Sequence, residues 1–224
     1  MKLASKKPIA VLVSGGLDSA VLLGELAASS HVIHPVYIRT GLHWEGPELL
    51  ALREFVSASA APNVRGVEVF DFPASALYGN HWSVTGVDVP DAESRDEEVH
   101  IPGRNLVLTV TAAIWASLRN LETLMLGTLS ANPFPDATPE FFARLEETLG
   151  LGLGSRLEIL RPYAALRKSD VLLRGRAMPL EKTFSCIAPI DNLHCGACNK
   201  CAERQRGFQE ADLPDPTLYA NRLR

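Results

Sequence analysis

The feature that most constrains the fold is a glycine turn, SGGLDS at residues 14–19, directly after an apolar run at residues 9–13. The apolar run is typical of a buried strand, and the turn is typical of a strand that opens into a helix. Glycine permits backbone conformations and close approaches that a Cβ would obstruct. The start of the following helix offers unpaired N–H groups and a positive dipole end to an anion. The sequence therefore predicts an anion-binding turn at the end of the first strand.

The polar side chains of this turn suit a bound phosphate. Ser14 and Ser19 add hydroxyl donors, and Asp18 can hold a magnesium ion or a water against phosphates. The turn lacks the lysine and four-residue spacer of a Walker A loop, and an ordinary glycine-rich corner is the alternative interpretation. It resembles the PP-loop of ATP pyrophosphatases, which split ATP to AMP and pyrophosphate. That resemblance implies ATP and Mg²⁺ contacts from Ser14, Gly15, Gly16, Leu17, Asp18 and Ser19.

Alternating strand and helix patterns predict an α/β fold, a Rossmann-like parallel sheet with helices on both faces. The predicted strands are residues 9–13, 32–38, 64–70, 123–126 and 157–160. The predicted helices are residues 17–28, 48–60, 105–119, 139–149 and 168–174. Ligands of such sheets bind at the carboxyl ends of the strands. Gly127, which follows the fourth strand, is therefore predicted to lie beside the nucleotide.

Length and composition narrow the functional class. The 224 residues suit one domain with a small appendage, and a net charge of −4 argues against a nucleic-acid partner. No apolar stretch approaches the ~20 residues that cross a bilayer, and the N-terminus lacks the apolar core of a signal peptide. A cytoplasmic location is expected. Residues 73–99 read as a long loop, which is typical of a functional lid or of disorder.

All four cysteines lie close together, with the spacing C-x8-C-x2-C-x2-C. Two-residue gaps let neighbouring thiolates converge on one ion, so a structural Zn²⁺ site is expected. An iron–sulfur cluster is the rival, and free or disulfide-linked cysteines are the other alternative. The neighbouring His194 is expected to be a solvated loop residue, with a substitute metal ligand as the alternative. We predict a PP-loop α/β domain at residues 1–180 and a zinc-binding segment at residues 181–224, with the ligands Cys186, Cys195, Cys198 and Cys201.

Taken together, the motifs resemble the 7-cyano-7-deazaguanine synthase family. The matching segments follow the family order: VHIPGRN at residues 99–105, FPDATPEF at 134–141, LRKSDV at 166–171, TFSC at 183–186 and CGACNKCAER at 195–204. The resemblance therefore covers nearly the whole chain.

The resemblance implies a ligase that uses ATP and ammonia to convert the carboxylate of 7-carboxy-7-deazaguanine to a nitrile through an adenylated intermediate. It also implies a homodimer. Asp18, Arg104 and Lys168 are the catalytic candidates, the last two as phosphate contacts by match to the family segments. An ordinary ion pair is the alternative for Arg104 and for Lys168.

Departures from the family pattern leave other substrates open. They lie at residues 38–45 and 130–138, where Ala137 and Thr138 replace the family's Cys and Arg. A related enzyme for another carboxylate, an enzyme that adenylates a tRNA nucleoside, and a nucleotide sensor are the alternatives. Trp44 is expected either to stack on a purine-like base or to pack on the second helix. Trp82 is expected either to close over the substrate or to anchor its loop.

Overall fold

The computed structural model of the protein describes residues 7–130 and 132–220. Their centre is a parallel sheet of five strands in the order β3-β2-β1-β4-β5. The strands are β1 (Ile9–Leu12), β2 (Ile33–Arg39), β3 (Glu68–Asp71), β4 (Thr123–Leu126) and β5 (Glu158–Leu160). Every pairing between neighbours is parallel, so the predicted α/β class is confirmed. Residues 1–6, part of the N-terminus considered above, lie outside the described residues.

Helices cover both faces of the sheet. They are α1 (Leu17–Ala27), α2 (Glu45–Ser59), α3 (Ser75–Tyr78), α4 (Trp82–Thr85), α5 (Arg104–Ser117), α6 (Pro139–Leu153), α7 (Lys168–Gly175) and α8 (Asn199–Glu210). Strand side chains alternate between faces, so Val11 joins the core under α1, α2, α7 and α8, whereas Ala10 joins the core under α5 and α6. Within the described residues, no helix is both long and apolar enough to span a bilayer.

The structure differs from the sequence prediction in several helices, of which α2 and α8 bear most on the site. Helix α2 begins at Glu45, one turn before the predicted start, and it buries both Glu45 and Glu48. Helix α8 was not predicted, because its mean hydropathy is low and its buried positions include Arg204. A helix whose buried positions are polar lacks the apolar repeat from which helices are predicted, so the sequence does not reveal it.

The prediction of a long loop at residues 73–99 was wrong in part, because this stretch forms a packed segment with short helices. It contains α3, α4 and a 3₁₀ turn at Asp96–Val99. Asp91 forms an isolated bridge with Cys198, and the Asn199 side-chain amide donates to the carbonyl of Ser94 at 2.9 Å. A third core joins this segment to the cysteines and includes Trp44, Val99 and Phe184. The segment is thus held against the C-terminal part of the chain.

We expect Leu52→Ala in α2 to lower the free energy of unfolding by about 2–5 kcal/mol, because the fully buried side chain leaves a cavity. Chemical denaturation measures the change. Leu151→Ala, at a helical position that is 80% exposed, is the matched control and should leave stability nearly unchanged. Equal losses in the two variants would contradict the assigned core.

Candidate functional site

The glycine turn at the end of β1 is organised by hydrogen bonds among its own residues. Ser14 N–H donates to the Ser19 hydroxyl at 3.2 Å, and that hydroxyl donates to the Gly16 carbonyl at 3.1 Å. Gly15 has a φ of +77°, in the left-handed region that favours glycine. Helix α1 begins at Leu17, so its first N–H groups lie at the turn.

Close backbone contacts on two sides explain two of the glycines. A Cβ on Gly15 would lie 2.6 Å from the Glu48 carbonyl oxygen, and a Cβ on Gly127 would lie 3.1 Å from the Asp18 carbonyl. The Gly15 carbonyl also accepts a hydrogen bond from Phe184 N–H at 2.8 Å. The turn is therefore packed tightly against α2, the end of β4 and the segment that leads to the cysteines.

Arg104 is positioned by a helix cap between two distant motifs. Gly103, with a φ of +72°, precedes it, and α5 begins at Arg104. The Asp136 carboxylate accepts from Asn105 N–H at 2.9 Å and from the Asn105 side-chain amide at 3.2 Å. An acidic group at a helix N-terminus is stabilising. This cap joins the PGRN and FPDA segments.

Lys168 lies between two carboxylates beside the turn. Its Nζ is 2.7 Å from Asp18 Oδ2 and 3.0 Å from Glu203 Oε1, and Lys200 pairs with the same Glu203 at 2.6 Å. Burial alone would lower the pKa of Lys168, but the two carboxylates raise it above its usual range. Burial opposes ionisation of Glu203, yet the two lysines hold its pKa below the usual range. Lys168 and Glu203 are therefore ionised at neutral pH, whereas burial raises the pKa of Asp18 against the opposing effect of Lys168.

Two adjoining cavities lie over this network. The larger has a volume of about 550 Å³, and it brings together most of the sequence-predicted residues: Ser14, Gly16, Asp18, Ser19, Arg104, Gly127 and Lys168. Leu17 lines only the smaller cavity, and Gly15 lines neither, since it faces Glu48. Three buried polar atoms without a hydrogen-bond partner in the described structure belong to residues around the larger cavity: Asp18 Oδ1, Arg104 Nε and Thr128 Oγ1.

The smaller cavity has a volume of about 210 Å³ and aromatic walls. Trp44, Trp82, Phe134 and Phe184 line it, and Arg104 lines both cavities. Trp44 is buried and stacks on Trp82, with ring centroids 5.8 Å apart and an interplanar angle of 17°. The Arg104 guanidinium lies 5.9 Å from the centre of the Trp44 ring. Trp82 therefore both anchors its loop and forms part of a cavity wall.

The sequence did not reveal several polar residues of the site. Glu48 lines both cavities and accepts a hydrogen bond from the Tyr37 hydroxyl at 2.6 Å. Glu203, on the unpredicted α8, completes the Lys168 network. An isolated glutamate in an amphipathic helix is usually solvated, so only the burial of these side chains identifies them. Of the departing residues 130–138, Ala131 lies outside the described residues.

The four cysteines form a second site beside these cavities. Cys186, Cys195, Cys198 and Cys201 are all buried, and their sulfur atoms lie within 4.8 Å of one another. Backbone N–H groups of Ala188 and Ala197 donate to sulfur atoms of the cluster at 3.3 and 3.4 Å. Such donors stabilise thiolates, so the cluster can hold a metal ion.

The prediction that His194 is solvated was wrong. The side chain is 5% exposed, and its Nε2 accepts a hydrogen bond from Ser185 N–H at 3.1 Å. Its ring centroid lies 4.6 Å from that of Phe184. His194 is therefore packed within the C-terminal segment, against Phe184 and Ser185.

The fold and this geometry define the class: an α/β protein with a glycine turn at the end of its first strand and a four-cysteine site near its C-terminus. Residues 8–212 match the family described as Queuosine biosynthesis protein QueC. The chain belongs to this family, as the motifs predicted.

Relatives span almost the same length as this chain. The 7-cyano-7-deazaguanine synthase of Methylococcus capsulatus is 30% identical, over 95% of this chain and 99% of that protein. The 7-cyano-7-deazaguanine synthase of Anaeromyxobacter sp. is 31% identical, over 96% and 97%. A solved structure of a predicted tRNA methyltransferase subunit from Methanocaldococcus jannaschii covers 80% of this chain and 92% of that one, with 14% identity and a TM-score of 0.43. That similarity is too low to bear on function.

We expect Lys168→Met to lower the free energy of unfolding at neutral pH by about 3 kcal/mol, because Asp18 and Glu203 lose their shared cation. The lowered pKa of Glu203 stabilises the folded protein at pH values above the pKa that Glu203 has in the unfolded chain. This stabilisation is lost as the pH falls through the lower pKa of the folded state. The difference between variant and wild type should therefore shrink in acid. Denaturation at several pH values measures it.

The matched control is Arg144→Met, which breaks an exposed pair with Glu140. Exposed pairs contribute little, so this variant should unfold like the wild type. A pH-independent loss in Lys168→Met would contradict the electrostatic origin of the effect.

Proposed function

We propose that this protein is a 7-cyano-7-deazaguanine synthase that converts the carboxylate of 7-carboxy-7-deazaguanine to a nitrile with ATP and ammonia. The observation that carries the proposal is the convergence of the glycine turn, Arg104 and Lys168 on one cavity. Family membership over residues 8–212 supports it.

In this proposal ATP lies in the larger cavity with its phosphates at the turn. The first N–H groups of α1 and the Ser14 hydroxyl donate to the phosphate oxygens, and the Ser19 hydroxyl joins them when it turns from the Gly16 carbonyl. Asp18 Oδ1, which is buried without a partner, fits a Mg²⁺ ligand. Lys168 neutralises charge that develops on the departing pyrophosphate.

The acceptor acid lies in the smaller, aromatic cavity. The planar ring system packs against the walls formed by Trp44, Trp82 and Phe134. Arg104 lines both cavities and has an unpartnered Nε. It therefore holds the substrate carboxylate next to the α-phosphorus.

The chemistry requires activation, because a carboxylate oxygen is a poor leaving group. Attack of the carboxylate on the α-phosphorus releases pyrophosphate and gives an acyl adenylate. Ammonia displaces AMP to form the amide. A second ATP activates the amide oxygen, and loss of AMP leaves the nitrile. The protein contributes positioning and charge neutralisation.

A second candidate is the same chemistry on a different carboxylate. The departures at residues 38–45 and 130–138 favour it, since Trp44 and Phe134 of these stretches line the acceptor cavity. The substrate test below decides between the two.

We expect the purified protein to convert 7-carboxy-7-deazaguanine to the nitrile when ATP, Mg²⁺ and ammonium are supplied, with AMP as the nucleotide product. Product mass and nucleotide chromatography measure both. Asp18→Asn, which removes one anionic Mg²⁺ ligand at nearly constant volume, should reduce AMP release at least about 100-fold. Unchanged acid with no AMP from the wild type would refute this activity; turnover of another carboxylate would favour the second candidate.

The metal of the cysteine cluster is proposed to be a structural Zn²⁺, with the four thiolates as its ligands. Four sulfur ligands that leave no coordination position open to solvent are typical of structural zinc. We expect about one zinc per chain by metal analysis, and Cys198→Ser should lose the metal and lower the melting temperature. Ser185→Ala, close to the cluster, is the control that should keep it. Iron in the purified protein would contradict the zinc assignment.

Two further proposals concern assembly and location. A homodimer is supported by exposed apolar side chains spaced along α5, namely Leu106 and Ile114, with Leu118 at its end. A cytoplasmic location is supported by the need for ATP and by four cysteines without a disulfide. Residues 181–224 are proposed to form the metal-tied segment of the same functional unit.

A further inference from the structure

Glu48 occupies a position where the two cavities meet. It lies in the first turn of α2, it is 7% exposed, and it lines both cavities. Its Cγ would be 3.2 Å from a Cβ on Gly15, so the residue lies directly behind the glycine turn. A carboxylate in this place is near both the departing nucleotide and the acceptor acid of the proposed function.

Its lack of an ion pair distinguishes Glu48 from the other acids of the site. Three carboxylate residues line both cavities: Asp18, Glu48 and Glu203. Asp18 and Glu203 each bind a lysine within 3.0 Å, whereas Glu48 forms no ion pair among the described residues. Its partner is the Tyr37 hydroxyl, which donates to Oε2 at 2.6 Å. Glu48 is therefore the acid of this set that is not committed to a lysine.

We propose that the Glu48 carboxylate accepts the proton that nitrogen loses when ammonia attacks the activated substrate. This inference rests on the proposed function and assigns a catalytic residue that no motif of the chain indicates. The residue touches the reacting nitrogen, and Tyr37 is its positioning residue.

The proton balance of the reaction requires such an acceptor. The nitrogen lone pair forms the C–N bond, the C–O bond to AMP breaks with its electron pair on AMP, and one N–H proton passes to Glu48. In the second activation, the amide oxygen attacks the α-phosphorus, pyrophosphate leaves with the P–O electron pair, and nitrogen gives a second proton to water. In the last step the C–O bond breaks with its electron pair on AMP, the last N–H proton passes to water, and the N–H electron pair completes C≡N. Between steps the carboxyl group returns its proton to water.

The surroundings of Glu48 suit a base that works near neutral pH. Burial raises the pKa of Glu48 to about 7, and the neighbouring Glu45 on the same helix adds to the increase. Arg104 from α5 and the Tyr37 hydroxyl from β2 oppose it, because both favour the ionised form. A base is most effective when its pKa lies near the working pH.

The decisive variant is Glu48→Gln, which keeps the size of the side chain and an acceptor oxygen for Tyr37. Two half-reactions are measured with the full chain. The first is carboxylate-dependent exchange of pyrophosphate into ATP, which needs no proton acceptor. The second is amide formation from ammonia. We expect exchange within about threefold of the wild type and amide formation reduced by about 10²–10⁴-fold.

The pH profile separates a proton acceptor from a structural residue. At constant free ammonia, amide formation by the wild type should rise with pH through an apparent pKa near 7. Glu48→Gln should lose this rise in rate with pH. Tyr37→Phe removes a hydrogen-bond donor that favours the ionised carboxylate, so its rate should rise at higher pH than in the wild type. Tyr37→Phe keeps the test available if Glu48→Gln does not fold.

Three outcomes would overturn the inference. Amide formation by Glu48→Gln at the wild-type rate would show that the carboxylate is not needed. Equal loss of exchange and amide formation would show that Glu48 organises the nucleotide site instead. If the rate of amide formation by Tyr37→Phe rose at the same pH as in the wild type, the titration would belong to another group. Absence of exchange in the wild type would refute the proposed function itself, and Glu48 would then have no such reaction to serve.

Discussion

The close backbone contact around the glycine turn is the constraint on which the rest of the structure depends. Gly15 lies against the Glu48 carbonyl, Gly127 lies against the Asp18 carbonyl, and Phe184 N–H donates to the Gly15 carbonyl. Helix α2 and the end of β4 can approach the turn this closely only because glycine has no Cβ. These contacts place Glu48 and the cavity walls around the first N–H groups of α1.

The cysteine cluster also contributes to the site, although none of the four cysteines lines either cavity. Cys198 is the N-cap of α8, and Glu203 on that helix pairs with Lys168. Asp91 bridges to Cys198, so the segment that carries Trp82 is tied to the same cluster. A metal bound by the cysteines would therefore hold two walls of the cavities in place as well as the C-terminal part of the chain.

Sequence prediction succeeded where a residue's role is local. The SGGLDS turn, the strand before it and the cysteine spacing each depend on neighbours within a few residues, and the parallel sheet and the metal-competent cluster were confirmed. His194 shows the limit, since its expected exposure was wrong. Contacts with Phe184 and Ser185, about nine residues away in the chain, bury its ring.

The sequence by itself determined the α/β class, the family and a cysteine cluster that can hold a metal ion, because period, motif order and cysteine spacing can be read from short segments. Only the tertiary structure decided that Lys168 lies within 3.0 Å of both Asp18 and Glu203 and that Glu48 is buried between two cavities. The physical reason is that burial and electrostatic pairing depend on which distant segments meet. The sequence shows which side chains can carry a charge, but it does not show whether water or protein surrounds them in the fold.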